Sequence, residues 1–117
     1  MAPMTRTVLV VDDEPLVLEV IVGMLEDLGC KSLTATTAEK ALGQLRRNPQ
    51  IEILITDVNM PGTNGYDLAD QARRMRVGLE VILLSGRETE GHGFPLLHKP
   101  FLKADLKRSM EQTSGLF

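Results

Sequence analysis

The sequence has one cysteine, no long apolar run and no excess of positive charge, and each of these scarcities excludes a class of protein. Cys30 alone cannot form an internal disulfide, so a reducing cytoplasm is the compartment that we expect. No signal peptide and no run of about 20 apolar residues is present, which predicts no membrane partner. The formal net charge is minus 3, and without a basic face we expect no direct contact with nucleic acid.

Length and composition predict a single domain. The chain has 117 residues, of which 43% are hydrophobic and 25% charged, the balance of a soluble globular protein. Such a chain is too apolar for intrinsic disorder and too short for two cores. No Ser/Gly-rich linker, internal repeat or low-complexity segment interrupts it, so we expect residues 1–117 to form one domain.

The first part of the chain alternates apolar runs of strand length with stretches of helical period. The run 7–11 is β-branched and continuously apolar, as expected for a central parallel strand covered on both faces. A helix should begin at Pro15 and end at Gly29, and a short strand should occupy 31–35. The buried stripe predicted for this helix is Leu16, Val17, Val20, Ile21, Met24, Leu25 and Leu28.

The same alternation continues to the end of the chain. Thr36 and Glu39 are spaced as a capping box that opens a second helix, and Asn48-Pro49 should stop it. Further strands are expected at 51–55, 81–84 and 94–97. The inner faces predicted for the later helices are Ala38, Ala41, Leu42 and Leu45, then Leu68, Ala69, Ala72 and Met75, then Leu102, Leu106 and Met110. The pattern predicts an α/β fold with a doubly wound, five-stranded parallel sheet.

Acidic side chains follow two of these strands where each strand ends. Asp12 and Asp13 come directly after the first strand, and Asp57 comes directly after the third. In the strand order 2-1-3-4-5 these two strands are neighbours, and ligands bind outside their carboxyl ends. Like charges about 4 Å apart repel by about 4 kcal/mol at an effective dielectric of about 20, so the acids need a cation. All-oxygen ligands favour Mg²⁺, and Mn²⁺ would also fit.

Two further polar residues should reach the same cleft. Ser85 ends the fourth strand, and Lys99 follows the fifth. A carboxylate can act as a nucleophile and form an aspartyl phosphate, while a metal ion, a lysine and a hydroxyl neutralise the phosphoryl oxygens. Asp57, Lys99, Ser85 and the metal supply these groups, so the sequence predicts a site for phosphoryl transfer.

Four segments of the sequence resemble one family. Residues 10–15 (VVDDEP), 56–62 (TDVNMPG), 85–86 (SG) and 99–101 (KPF) are similar to the motifs of receiver domains in two-component response regulators, the CheY-like family. Each motif alone is common, but four of them in this order at strand ends are a specific combination. The resemblance covers nearly the whole chain and implies a flavodoxin-like sheet of order 2-1-3-4-5.

The resemblance also implies roles for individual residues. Asp57 would be the phosphoacceptor. Asp12, Asp13 and Asp57 would hold Mg²⁺, together with the main-chain carbonyl of Asn59. The side chain of Asn59 would then matter little for the metal.

Three further positions follow from the same resemblance. The Ser85 hydroxyl would move to the phosphoryl group, and Lys99 would form an ion pair with that group. Pro100 is a candidate for a cis peptide bond after Lys99. The donor would be a phosphohistidine on a sensor histidine kinase or a phosphotransfer protein. The chain would then be a switch that promotes only its own phosphorylation and dephosphorylation, not an enzyme, and it could act on a downstream protein partner.

The sequence departs from this family between the fourth and fifth strands. Only thirteen residues separate Ser85 from Lys99, whereas a parallel crossover usually needs about a dozen residues or more in addition to the strand itself. The segment 86–93 has no apolar stripe, so we expect helix 4 of this fold to be shortened or replaced by a loop. Leu96 stands where the family usually has an aromatic switch residue. Receivers of this kind resemble stand-alone modules or parts of hybrid kinases.

Two other functions remain open at this point. A degenerate receiver could bind a partner without phosphorylation, as the lost helix and Leu96 suggest, although the intact acids argue against it. A metal-dependent phosphatase could use Asp57 as its nucleophile, but Asn59 stands where such an enzyme carries its general acid. Asp12 and Asp13 could also be simple helix-capping acids, and we expect His92 and His98 to be solvated surface residues.

Overall fold

The computed structural model describes residues 6–114, in which strands and helices alternate along the chain. The strands are β1 (Thr7–Val11), β2 (Lys31–Ala35), β3 (Ile53–Asp57), β4 (Glu80–Ser85) and β5 (Leu96–His98). The helices are α1 (Pro15–Asp27), α2 (Ala38–Arg47), α3 (Gly65–Met75) and α4 (Lys103–Ser114). The predicted α/β alternation is confirmed.

All five strands are parallel, and their order is β2-β1-β3-β4-β5, as predicted. Val11 at the end of β1 pairs with Thr56, and Asp57 at the end of β3 pairs with Leu84. The carboxyl ends of β1, β3 and β4 therefore lie side by side. This register brings the residues that follow β1 next to Asp57.

The core consists of two apolar layers, one on each face of the sheet. Alternate residues of the central strands enter opposite layers, so that Leu9 and Leu54 lie in one and Val8 and Ile53 in the other. All four side chains are fully buried. Burial on both faces explains why these strands are continuously apolar instead of alternating with polar residues.

Part of the predicted stripe of α1 is wrong. Leu16 is 74% exposed and Val20 59% exposed, whereas Leu18, Ile21 and Leu25 are the buried residues of this helix. Helix α1 is apolar around a wider arc than the sheet can cover, so its hydrophobic period alone did not show which stripe faces inwards. The uncovered stripe leaves an apolar surface in solvent.

The start of α2 also differs from the prediction. The capping residue is Thr37, whose hydroxyl oxygen accepts a hydrogen bond of 3.1 Å from the backbone N–H of Lys40. The Thr36 hydroxyl instead lies 3.5 Å from the Lys40 ammonium group. The predicted N-cap was therefore placed one residue too early, because two adjacent threonines offer the same signal, and the predicted capping box of Thr36 and Glu39 is wrong.

The ends of the later elements need smaller corrections. Met75 and Leu102 were predicted to face the core, but Met75 is 42% exposed at the end of α3 and Leu102 is 72% exposed. Leu102 precedes α4, and its backbone N–H donates to the Asp105 carboxylate. The fifth strand begins at Leu96 instead of 94. Phe94 closes a turn instead, since its N–H donates to the carbonyl of Gly91.

A loop joins β4 to β5, as expected from the short spacing. Residues 86–95 contain no helix. The loop turns at His92 and Gly93, which have φ values of 50° and 92°, and the His92 ring stacks on Tyr66 with centroids 3.8 Å apart. The Tyr66 hydroxyl donates to the carbonyl of Glu90 at 2.6 Å. Contacts with α3 therefore hold the far half of this loop, residues 90–95.

No helix within residues 6–114 has the length and apolar character that crossing a membrane requires.

Candidate functional site

Three carboxylates converge at the carboxyl edge of the sheet. Asp12 is the first residue after β1, Asp13 follows it, and Asp57 is the last residue of β3. One carboxylate oxygen from each lies within 4.8 Å of the others. Asp12 and Asp57 are buried, at 1% and 7% exposure, whereas Asp13 is exposed. The convergence predicted from the strand ends is thus present.

Lys99 supplies the positive charge of this cluster. Its ammonium nitrogen lies 3.2 Å from an oxygen of Asp12 and 3.2 Å from an oxygen of Asp57. The backbone N–H of Lys99 donates to the carbonyl of Ser85 at 2.7 Å, which fixes the residue beside the end of β4. The peptide bond from Lys99 to Pro100 is cis.

The cluster carries more negative charge than Lys99 neutralises. Burial raises the pKa of Asp57 above its usual value, and Asp12 and Asp13 add to this effect against the opposing influence of Lys99. Burial lowers the pKa of Lys99, but the attraction of Asp12 and Asp57 outweighs burial, so the pKa of Lys99 is raised overall. The two acids beside Lys99 thus raise its pKa, whereas the raised pKa of Asp57 is due chiefly to burial.

The donor set of this cluster fits a divalent cation. Asp12, Asp13 and Asp57 offer only hard oxygen ligands, and uncompensated carboxylates so close together favour a small ion of high charge. Asn59 is exposed just after β3, in the segment where its main-chain carbonyl was expected as a further ligand.

A close packing of α3 against β3 positions Asp57. The N–H of Gly65, the first residue of α3, donates to the carbonyl of Val58 at 2.8 Å. A Cβ atom on Gly65 would overlap the backbone carbonyl oxygen of Asp57. Only glycine permits this approach, which sequence reasoning missed. The signal was a glycine at a helix start, directly after the capping residue Asn64.

The Ser85 hydroxyl is directed to the loop that follows β4. Ser85 is fully buried, and its hydroxyl lies 2.6 Å from the backbone carbonyl oxygen of Glu88 and 3.3 Å from the Glu88 carboxylate. The other carboxylate oxygen of Glu88 accepts a hydrogen bond of 2.5 Å from the side chain of Asn59. Sequence reasoning missed Glu88, because a glutamate in a polar loop has no distinguishing pattern.

The remaining sequence candidates lie outside the cluster. Leu96 is half-buried at the start of β5 and packs against the same core layer as Tyr66 and Phe94. His92 and His98 are both exposed, as expected, although His92 also stacks on Tyr66.

The uncovered stripe of α1 borders the acid cluster. Leu16, Val17 and Val20 line a shallow apolar groove together with Pro100 and Lys99. Ile21, Met24 and Phe101 complete its lining. A partner that reaches Asp57 from this side would cover these side chains.

Comparison with known proteins gives one consistent family. The model of the response regulator receiver domain matches residues 8–111. The chain is 39% identical over 75 residues to the sensor histidine kinase RcsC of Escherichia coli. That match covers 64% of the chain but only 8% of RcsC, so the chain spans a small part of that protein's length.

Solved structures agree over almost the whole chain. A response regulator receiver domain protein from Clostridium thermocellum is 28% identical with a TM-score of 0.86, and the match covers 94% of both chains. The receiver domain of the hybrid histidine kinase CckA is 34% identical with a TM-score of 0.82, over 92% of this chain and 98% of that one.

Proposed function

Because the chain belongs to the response regulator receiver domain family, we propose that it is a cytoplasmic phosphorylation switch in which Asp57 receives a phosphoryl group in a Mg²⁺-dependent reaction. Residues 1–117 would act as a single receiver domain. The donor would be a phosphohistidine of a sensor histidine kinase or a phosphotransfer protein. The kinases RcsC and CckA, to which the chain is similar, support a donor of this class.

One observation carries this proposal, namely the meeting of Asp12, Asp13 and Asp57 within 4.8 Å beside the Lys99 ammonium group. Repulsion between the acids makes this arrangement unfavourable for stability alone. The arrangement is useful where a phosphoryl group passes to a carboxylate, because that reaction needs positive charge around the transferred oxygens.

The transfer step follows from the groups at the site. An oxygen of the Asp57 carboxylate attacks phosphorus, a P–O bond forms, and the P–N bond to the donor imidazole breaks. The imidazole nitrogen takes the electron pair of that bond, and because the other ring nitrogen carries a proton the leaving group is neutral imidazole. Lys99 is within reach of the Asp57 carboxylate and can follow the phosphoryl oxygens after transfer. A divalent ion on Asp12, Asp13 and Asp57, either Mg²⁺ or Mn²⁺, would neutralise the phosphoryl charge.

The product stays on the chain, which makes the protein a switch. The acyl phosphate remains attached to Asp57 until water hydrolyses it, so the site cannot accept another phosphoryl group until then. The new group carries a charge of about minus 1.5 to minus 2 and can draw a hydroxyl donor such as Ser85 towards it. Loop 86–95, which lacks a helix, follows Ser85 directly and would transmit the change to a downstream protein partner.

We place the donor on the apolar groove beside the site. Leu16 and Val20 are exposed next to Lys99 and Pro100, so an apolar partner surface that covers them would bring its imidazole to the edge of the acid cluster. Burial of exposed aliphatic side chains favours such an association by roughly 25 cal/mol for each Å² removed from water.

A small phosphoryl donor tests the proposed reaction. The protein is incubated with acetyl phosphate or phosphoramidate, with and without Mg²⁺, and its intact mass is followed with time. We expect one adduct of about 80 Da that requires Mg²⁺ and is absent from Asp57→Ala. Asp70→Asn removes an exposed acid of α3 and should keep the adduct. No adduct in any condition would favour the degenerate receiver, and continued turnover of a phosphate ester would favour a phosphatase.

A further inference from the structure

We infer that Glu88 is a positioning residue, which holds the Ser85 hydroxyl on the loop after β4 in the unphosphorylated protein and must release it when Asp57 is phosphorylated. This inference rests on the proposed function, since it concerns how the same site is regulated. Its central observation is that both hydrogen-bond acceptors of the Ser85 hydroxyl belong to Glu88.

The Ser85 hydroxyl cannot serve Glu88 and a phosphoryl group together. A serine hydroxyl has one proton to donate, and the shorter contact, 2.6 Å to the Glu88 carbonyl, takes it. Ser85 is fully buried, so solvent does not offer an intermediate partner. A phosphoryl group on Asp57 therefore competes with the Glu88 carbonyl for this donor.

The carboxylate of Glu88 keeps that carbonyl in place. One of its oxygens accepts a hydrogen bond from the Asn59 side chain at 2.5 Å, and the other lies 3.3 Å from the Ser85 hydroxyl. Asn59 follows β3 and Ser85 ends β4, so the carboxylate bridges two neighbouring strand ends. The bridge joins the near half of loop 86–95, residues 86–89, to the edge of the sheet that carries Asp57.

Phosphorylation should break this bridge. The phosphoryl group adds about minus 1.5 to minus 2 of charge, which repels a nearby carboxylate and attracts hydroxyl and amide donors. Glu88 would lose Ser85 to the phosphoryl group, and the near half of the loop would move away from Asn59. The far half remains attached through Tyr66, which contacts Glu90 and His92. Glu88 thus opposes the phosphorylated arrangement and sets how readily the loop responds.

Removal of the carboxylate should therefore favour the phosphoryl-bound state. Beryllium trifluoride with Mg²⁺, a tetrahedral mimic of a phosphoryl group, is titrated into the wild type, Glu88→Ala and Glu88→Gln by calorimetry. Loss of the charged hydrogen bond that anchors the Glu88 carbonyl predicts roughly threefold to tenfold tighter binding by Glu88→Ala, and a smaller gain for Glu88→Gln. Glu90→Ala is the matched control, because it removes an exposed carboxylate from the same loop and leaves the Glu90 carbonyl that Tyr66 contacts.

Two further measurements separate positioning from a structural role. Affinity for Mg²⁺ alone should be the same in Glu88→Ala and Glu90→Ala, whereas a general disturbance of the site would weaken it in Glu88→Ala only. Asn59→Ala should also tighten binding of the mimic, and the double variant should gain less than the two single gains combined, since both remove one bridge.

The results distinguish the inference from the proposed function. If wild-type Asp57 gains its phosphoryl adduct but Glu88→Ala binds the mimic no more tightly than Glu90→Ala, the positioning role is wrong and the proposed function stands. If the wild type neither gains the adduct nor binds the mimic, both are wrong.

Discussion

Replacement of Asp57 by asparagine should stabilise the protein when no divalent cation is present, although it removes the most important side chain of the site. The Asp57 carboxylate lies near one cation, Lys99, and near two acids, Asp12 and Asp13. Asparagine has nearly the same shape and can still accept a hydrogen bond from Lys99. The change therefore removes charge and little else.

Distances in the cluster give the size of the effect. At an effective dielectric of about 20, the attraction across 3.2 Å to Lys99 contributes about 5 kcal/mol. Each repulsion across at most 4.8 Å to another carboxylate costs about 3.5 kcal/mol at the same dielectric, so the two repulsions together offset the attraction of Lys99. Burial is the largest cause of the raised pKa of Asp57 and therefore decides the sign, and a desolvation cost of about 1 to 2 kcal/mol is the stability that Asp57→Asn should recover.

Urea unfolding at neutral pH with a chelator present measures this difference. With a slope of about 2 kcal/mol per molar urea, Asp57→Asn should raise the midpoint by about 0.5 to 1 M. The control Asp70→Asn removes one exposed charge and should change the midpoint little. An Asp57→Asn midpoint equal to or below that of the wild type would show that the ionised Asp57 carboxylate does not destabilise the folded protein and would refute the electrostatic reasoning.

The pH dependence of this difference has a definite sign. The folded-state pKa of Asp57 is raised above 3.8, so its ionisation opposes folding. The wild type should lose stability relative to Asp57→Asn as pH rises from about that value through the folded-state pKa of Asp57. Below this window Asp57 is protonated in both states and the advantage of asparagine should disappear. Mg²⁺ should reduce the advantage at neutral pH, because the ion binds the wild type more tightly.

Three further predictions concern the glycine at the start of α3, the two threonines before α2 and the exposed aliphatic residues of α1. Gly65→Ala should lower the free energy of unfolding by about 1 to 3 kcal/mol and reduce the yield of the Asp57 adduct, because the alanine Cβ would overlap the Asp57 carbonyl. Urea unfolding measures the first effect and intact mass the second. Unchanged stability and yield would contradict the close packing of α3 on β3. Thr37→Ala should lower the free energy of unfolding by about 1 kcal/mol, and Thr36→Ala should lower it clearly less. A larger loss in Thr36→Ala would instead indicate that Thr36 caps the helix. The double variant Leu16→Ser/Val20→Ser should slow phosphoryl transfer from a phosphohistidine protein by roughly tenfold and leave acetyl phosphate unaffected, and equal slowing of both donors would count against the groove as a docking surface.

The sequence was sufficient to predict the sheet because its strands are covered on both faces. Continuous apolar runs such as 7–11 fit a sheet that is covered by an apolar layer on each face. The acidic residues that follow these runs mark the edge of the sheet at which the strands end. Asp12 and Asp57 could be expected to meet, because the strand order that the resemblance implies makes the ends of their strands neighbours. The absence of a helix between β4 and β5 could be expected from the short spacing and from the lack of an apolar stripe in segment 86–93.

Contacts that depend on irregular backbone could not be predicted in this way. Helix α1 is apolar on more than one face, so its period did not show that Leu16 and Val20 would be left in solvent. The bridge of Glu88 to Asn59 joins residues 29 positions apart in two loops, where no periodicity applies. The approach of Gly65 to Asp57 depends on the angle at which α3 packs, which is a tertiary property.

Location of the phosphoryl group at a single residue tests the central claim most directly. The protein is phosphorylated with acetyl phosphate and Mg²⁺, treated with borohydride, which reduces an aspartyl phosphate to homoserine, and digested for peptide mass analysis. We expect homoserine at position 57 in the Mg²⁺-containing sample and aspartate at this position when the metal is omitted. Homoserine at another position, or unmodified Asp57 in every sample, would contradict it.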